Sequence, residues 1–291
     1  MLKRRLATIG IPAIFMAASL AGCQTASMRA SGNTPLALGS HYVSMGSSFA
    51  AGPGVTKTVD LPPNRCARST DNYAQQLARS LNLSLTDVAC SGAATEHILG
   101  RWDELPAQID AVTADTRLVT ITIGGNDVSF VRNMIAFACV ADERSAANAP
   151  GGKCPPVSAP TEADWQQLES NLSHIAVHVR ERAPSAKVVF VQYVRIAPEI
   201  ACAAVPLKKA DLALMKQIQR RLLETTAAAA RKGGAVVIDP SNVDQDHSPC
   251  STTSWSTGFP APGGTPFVPF HPNLEGMTAI SKALAATLKR D

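Results

Sequence analysis

The stretch Tyr42-Val43-Ser44-Met45-Gly46-Ser47-Ser48-Phe49-Ala50-Ala51-Gly52 decides how the rest of the chain is read. Residues 42–45 are a short, largely apolar run of strand-forming residues, and a turn of small and polar residues framed by two glycines comes directly after it. In an open parallel sheet, ligands sit beyond the carboxyl ends of the strands, so the turn after each strand is informative. Two more candidate strands end the same way. Residues 83–88 lead into Cys90-Ser91-Gly92-Ala93, and residues 118–123 into Gly124-Gly125-Asn126-Asp127. Three small polar turns therefore converge on one rim.

Working outward, residues 187–193 and 235–238 read as further strands, and helical patterns fall between the strands. Residues 71–81 form one helix. Residues 161–182 form a second, with Trp165, Leu168, Leu172, Ile175 and Val179 at three- and four-residue steps and Thr161 with Asp164 as a capping box. Residues 211–231 and 274–290 are amphipathic too, the last placing Leu274, Met277, Ile280, Leu284 and Leu288 on one face. This alternation predicts one α/β domain, a mostly parallel five-stranded sheet with helices on both faces. Two loops rich in Pro, Gly and Ser, 146–160 and 248–269, interrupt it, and each carries a cysteine that would pin it.

The three turns offer a hydroxyl at Ser48, a backbone N–H at Gly92 open to close approach, and a donor amide at Asn126. An acyl-transfer site needs such parts: an attacking oxygen and donors aimed at the oxyanion that develops on the carbonyl. A serine hydroxyl is a weak nucleophile until a base takes its proton. His271, in Phe270-His271-Pro272-Asn273 ahead of the last helix, is the best-placed candidate. His174 and His178 share a helical face, but the residues between them supply no catalytic glutamate, so a surface role is expected. His41 and His97 lie in no motif.

The N-terminus reads as an export signal, basic at Lys3-Arg4-Arg5 and then apolar through Ala21. It closes on Leu20-Ala21-Gly22-Cys23, which resembles a bacterial lipobox and implies lipidation of Cys23; ordinary secretion is the alternative. The expected layout is signal peptide 1–22, flexible tether 23–38 and folded domain 39–291, placed outside the cytoplasm as a lipid-anchored or secreted monomer. Removing the signal takes basic residues from a formal net charge of +4, which leaves no basic face for nucleic acid. Of the seven cysteines, setting Cys23 aside leaves an even number, as an oxidising compartment favours. Six cysteines allow about 15 pairings, and no Cys-x-x-Cys pair favours zinc.

Together the turns and the histidine block resemble the SGNH-hydrolase (GDSL lipase/esterase) superfamily. Its first motif, Gly-Asp-Ser-x-x-x-Gly, aligns with Gly46 to Gly52, placing Ser48 on the nucleophile and Ser47 on the usual aspartate. Gly92 matches the second block, Asn126 the third, and His271 with Pro272 the last. The resemblance implies a flavodoxin-like three-layer α/β/α fold and a serine ester hydrolase without metal or organic cofactor. It implies an oxyanion hole built from Ser48, Gly92 and Asn126. Through Cys66-Ala67-Arg68-Ser69, it extends to extracellular disulfide-containing actinobacterial-type lipases, which implies the pairs Cys66–Cys90, Cys139–Cys154 and Cys202–Cys250.

One departure concerns mechanism. The family commonly has aspartate three residues before the histidine, and this chain has Val268. The expectation is a Ser–His dyad in which the Val268 carbonyl fixes the imidazole tautomer, with Asp244 or Asp246 as rivals for that task. Acyl lipids or fatty-acid esters are the expected substrates. Carbohydrate or peptidoglycan O-deacetylation, or a non-catalytic binding lipoprotein, are the alternatives, and an α/β-hydrolase elbow is disfavoured because the stretch after Ser48 lacks its closing glycine.

Overall fold

The computed structural model describes residues 36–141, 153–243, 245–260 and 268–290. The expected signal peptide, Cys23, most of the tether and Asp244 lie outside the described residues. Strands β1 (His41–Gly46), β2 (Ser84–Asp87), β3 (Thr116–Thr122), β4 (Lys187–Val191) and β5 (Val236–Ile238) form one sheet in the order β2-β1-β3-β4-β5. All four pairings are parallel. The central strands β1, β3 and β4 are buried almost throughout, which is why they read as apolar runs, whereas the edge strands β2 and β5 are partly open.

The α-helices among the described residues are α1 (Ser48–Ala51), α2 (Tyr73–Leu81), α3 (Thr95–Leu99), α4 (Phe130–Ala141), α5 (Glu162–Arg182), α6 (Lys209–Lys232) and α7 (Leu274–Arg290), and a short 3-10 turn spans Gln108–Ala111. The helix α2 packs with α7, and α5 packs with α6. Apolar stripes explain these layers. Trp165, Leu168, Leu172, Ile175 and Val179 of α5 are all buried, and Thr161 and Asp164 cap each other reciprocally at 2.7 and 3.3 Å. On α7, Met277, Ile280 and Leu284 are buried, but Leu274 is 42% exposed. Leu36, expected in the tether, packs against the core instead. Among the described residues no helix is long and apolar enough to cross a membrane.

The strand order reverses between β1 and β3, since β2 lies on one side of β1 and β4 and β5 lie beyond β3. Such a switch point opens a crevice at the carboxyl ends of the two strands. Their last residues, Gly46 and Thr122, are register partners, so the turns after them leave the sheet side by side.

Candidate active site

Gly46 starts the site because no other residue fits there. Its φ is +143°, and a Cβ would collide with the Thr122 carbonyl oxygen. The Gln108 side chain holds this corner, accepting from Gly46 N at 2.7 Å and donating to Gly46 O at 3.0 Å. Ser47 is extended, Ser48 opens the short helix α1, and Gly52 closes it at φ 71°. As the first amide of a helical turn, Ser48 N–H has no intrahelical acceptor, and no other acceptor takes it among the described residues. Gly92 N–H is likewise untaken, and Gly92, with φ +87°, is exposed to solvent.

His271 reaches this corner from the far end of the chain. Its Nε2 lies 2.8 Å from Ser48 Oγ, and both residues are only 8% exposed. The imidazole packs against Phe49 at 5.2 Å between ring centroids. Burial disfavours the charged ring and lowers its pKa to about 4, opposed by a hydrogen bond to the Pro269 carbonyl. At neutral pH the ring is therefore uncharged, with Nδ1–H donating to Pro269 O at 2.7 Å and Nε2 left to accept from Ser48.

The orienting carbonyl is thus that of Pro269 and not that of Val268. The Thr257 hydroxyl donates to Val268 O at 2.7 Å and accepts from His271 N at 3.1 Å, so the Val268 oxygen is already engaged. Phe270 adopts a φ of 56°, a left-handed turn immediately before the histidine. Asp246 does not serve either, since its carboxylate accepts from Ser248 N and Ser248 Oγ, each at 2.9 Å.

Asn126 lies on the same rim, its Nδ2 donating to Ala93 O at 2.8 Å and its side chain open to solvent. The amide has a second N–H to offer. Asp127 ties the third turn to the second, accepting from Thr95 N at 3.1 Å and from the Thr95 hydroxyl; burial raises its pKa. The disulfide Cys66–Cys90 fastens the second turn to the segment after α1, and Ser91 donates to Cys66 O at 2.8 Å. The pairs Cys139–Cys154 and Cys202–Cys250 are also formed.

Ser47, at the usual aspartate position, makes two long contacts of 3.4 Å, to Thr122 O and to the Tyr193 hydroxyl. Tyr193 also accepts from Gly125 N at 2.8 Å and packs on Phe49, so one buried phenol braces the first and third turns. Sequence reasoning missed Tyr193 and Gln108. Both act across long sequence separations, and neither sits in a motif.

Ser48, Gly92, Asn126 and His271 line a cavity of about 390 Å³ whose walls include Val131 and Ile135 of α4, Pro53 and Pro155. His174 and His178 are exposed on α5, and His41 lies at the opposite end of β1. Among the described residues, no cluster of three His, Cys, Asp or Glu could hold a metal. The arrangement can take a proton from a serine hydroxyl and offer donors to an oxyanion beside an apolar wall.

Residues 44–279 match the GDSL-like Lipase/Acylhydrolase family. The chain is 34% identical to Lipase 2 of Streptomyces coelicolor over 245 residues, 81% of each protein. Its fold resembles the crystal structure of phospholipase A1 from Streptomyces albidoflavus NA297, with a TM-score of 0.68 at 25% identity, covering 86% of this chain and 99% of that one. The extracellular lipase of Streptomyces rimosus is similar at a TM-score of 0.67 and 27% identity, covering 85% of this chain and 99% of that one.

Proposed function

Because the chain belongs to the GDSL-like lipase/acylhydrolase family and is a carboxylic ester hydrolase, we propose that Ser48 and His271 carry its chemistry as a dyad. The observation that supports this most is the 2.8 Å contact between His271 Nε2 and Ser48 Oγ inside the cavity. Ser48 Oγ attacks the carbonyl carbon while its proton passes to Nε2. The Ser48 and Gly92 N–H groups and the Asn126 amide receive the oxyanion. The tetrahedral centre collapses, the C–O bond to the alcohol breaks, and Nε2 returns the proton to the leaving oxygen. Water then attacks the acyl-enzyme by the same steps, releasing the acid and restoring Ser48. As the ring becomes charged, the Pro269 carbonyl stabilises it through Nδ1–H.

The apolar wall of Val131, Ile135, Pro53 and Pro155 favours an acyl chain, so acyl lipids or fatty-acid esters are the proposed substrates. The names of the lipase and phospholipase relatives agree with this. Three disulfides support export. Lipidation at Cys23 would hold the enzyme at a membrane as a monomer, and labelled fatty acid should be incorporated into the wild type and not into Cys23→Ser.

A chain-length series of p-nitrophenyl esters, run beside an acetylated glycan and with fluorophosphonate labelling, tests the reading. Labelling at Ser48 and turnover that rises beyond the acetate ester are expected. An unlabelled Ser48 would refute the dyad, and activity confined to the glycan would refute the lipid assignment.

A further inference from the structure

The cleft has an asymmetry that acyl hydrolysis alone does not require. Apart from the neutral dyad and donor groups, its lining is almost entirely apolar, no carboxylate faces it, and Arg132 brings the one formal charge among the described lining residues. Arg132 sits on α4 between Val131 and the next turn of the helix, where Ile135 continues the apolar wall. Its side chain is exposed, and no acceptor takes its guanidinium among the described residues.

Other arginines of this protein are treated differently. Arg65, Arg68, Arg79, Arg182 and Arg221 each meet a carboxylate. The first turn of α4 carries no acidic residue to offset Arg132. A guanidinium is a planar fork of donors that matches two oxygens of a phosphate. Arg132 lines the same cavity of about 390 Å³ as Ser48 and His271.

We propose that Arg132 binds an anionic group of the substrate, a phosphate in particular, so that the cleft selects acyl esters carrying negative charge close to the scissile bond. This rests on the reading of the cleft as the ester-hydrolysing site and adds the charge of the substrate to it. Arg132 here determines specificity and takes no part in bond making. The acyl chain lies along Val131, Ile135 and Pro155, and the anionic end of the molecule meets the guanidinium.

The test uses three monomeric esters with the same short chains: tributyrin, dibutyryl phosphatidylcholine and dibutyryl phosphatidic acid. Arg132→Gln should lower kcat/KM for the phosphatidic acid by roughly fivefold to tenfold, mainly through KM, the scale of one solvent-exposed bidentate charge contact. Tributyrin turnover should stay within about twofold, because no charge is involved. Arg132→Lys should recover part of the loss, keeping the charge without the fork, and high salt should erase the difference between wild type and Arg132→Gln. Equal losses on all three esters, or no loss on any, would overturn the proposal while leaving the ester-hydrolase reading intact. Wild-type protein that hydrolyses none of them and leaves Ser48 unlabelled would overturn both.

Discussion

His271 Nδ1 lies 2.7 Å from the carbonyl oxygen of Pro269, two residues earlier in the same loop. In the proposed dyad a backbone carbonyl does what a third side chain does in a triad: it selects the tautomer in which Nε2 is free to accept. The Asp246 carboxylate accepts from Ser248 instead. Asp246→Asn, alone or with Asp244→Asn, should leave kcat within about threefold of wild type, whereas His271→Ala should lose roughly 10⁴-fold or more. Steady-state kinetics on a soluble ester decides it, and a loss of several orders in Asp246→Asn would restore the carboxylate as the orienting group.

In the proposed dyad the lowered His271 pKa sets the acid limb of activity. With the folded value near 4, the ring stays neutral through mildly acidic pH, so kcat/KM should begin to fall well below the ordinary histidine range. A midpoint near 6.5 would show that the ring is hydrated in solution.

The same shift makes a stability prediction of definite sign. Between about 4 and 6.5 the unfolded chain binds a proton at this position and the folded chain does not, so this contribution to stability is lost as pH falls through that window. Asp87, buried and raised to about 6, acts in the opposite sense, adding stability as pH falls below that value. A melting curve of the wild type alone mixes the two. The difference in unfolding free energy between His271→Gln and wild type, from urea titrations at each pH, isolates the first and should move in favour of the variant on acidification from pH 7 toward 4, on the order of 3 kcal/mol in total. A pH-independent difference would contradict the burial argument.

Asn126 donates one N–H to Ala93 O and keeps the other for the cavity. Asn126→Ala should reduce kcat by about 10²-fold or more with little change in KM, since an oxyanion donor acts on the transition state. A rise in KM at unchanged kcat would assign the amide to ground-state binding instead.

The strands, the long helices and the positions that meet at the rim were legible because each leaves a local mark. Ser48 comes after an apolar run and precedes a glycine-closed turn, and α5 repeats its apolar residues at helical spacing. Helix α4 left a more ambiguous mark: in Phe-Val-Arg-Asn-Met-Ile-Ala-Phe-Ala-Cys-Val-Ala every residue but Arg132 and Asn133 is apolar, and a short apolar run of that kind reads equally as a buried strand or a buried helix. The choice of Pro269 over Val268 was illegible for another reason. It depends on the left-handed turn at Phe270 and on the hydroxyl of Thr257, and backbone direction of that kind comes from tertiary contacts.

The missed helix also governs a wall of the cleft. Residues 153–160 form neither helix nor strand, yet Pro155 of this segment lines the cavity. Two attachments to α4 hold it there. One is the Cys139–Cys154 disulfide, and the other is the fully buried Asn133 amide, which donates to Ser158 O at 2.8 Å and accepts from Ser158 N at 2.9 Å. Cutting either should loosen the wall without touching Ser48 or His271. Cys139→Ser together with Cys154→Ser opens a loop of 15 residues and should lower stability by about 3 kcal/mol in urea titrations. Both that variant and Asn133→Ala should raise KM for an octanoate ester by about threefold to tenfold while leaving kcat/KM for the acetate ester nearly unchanged, because only the longer chain reaches Pro155. An equal effect on both esters would mean that the segment supports the catalytic turns themselves and not the acyl wall.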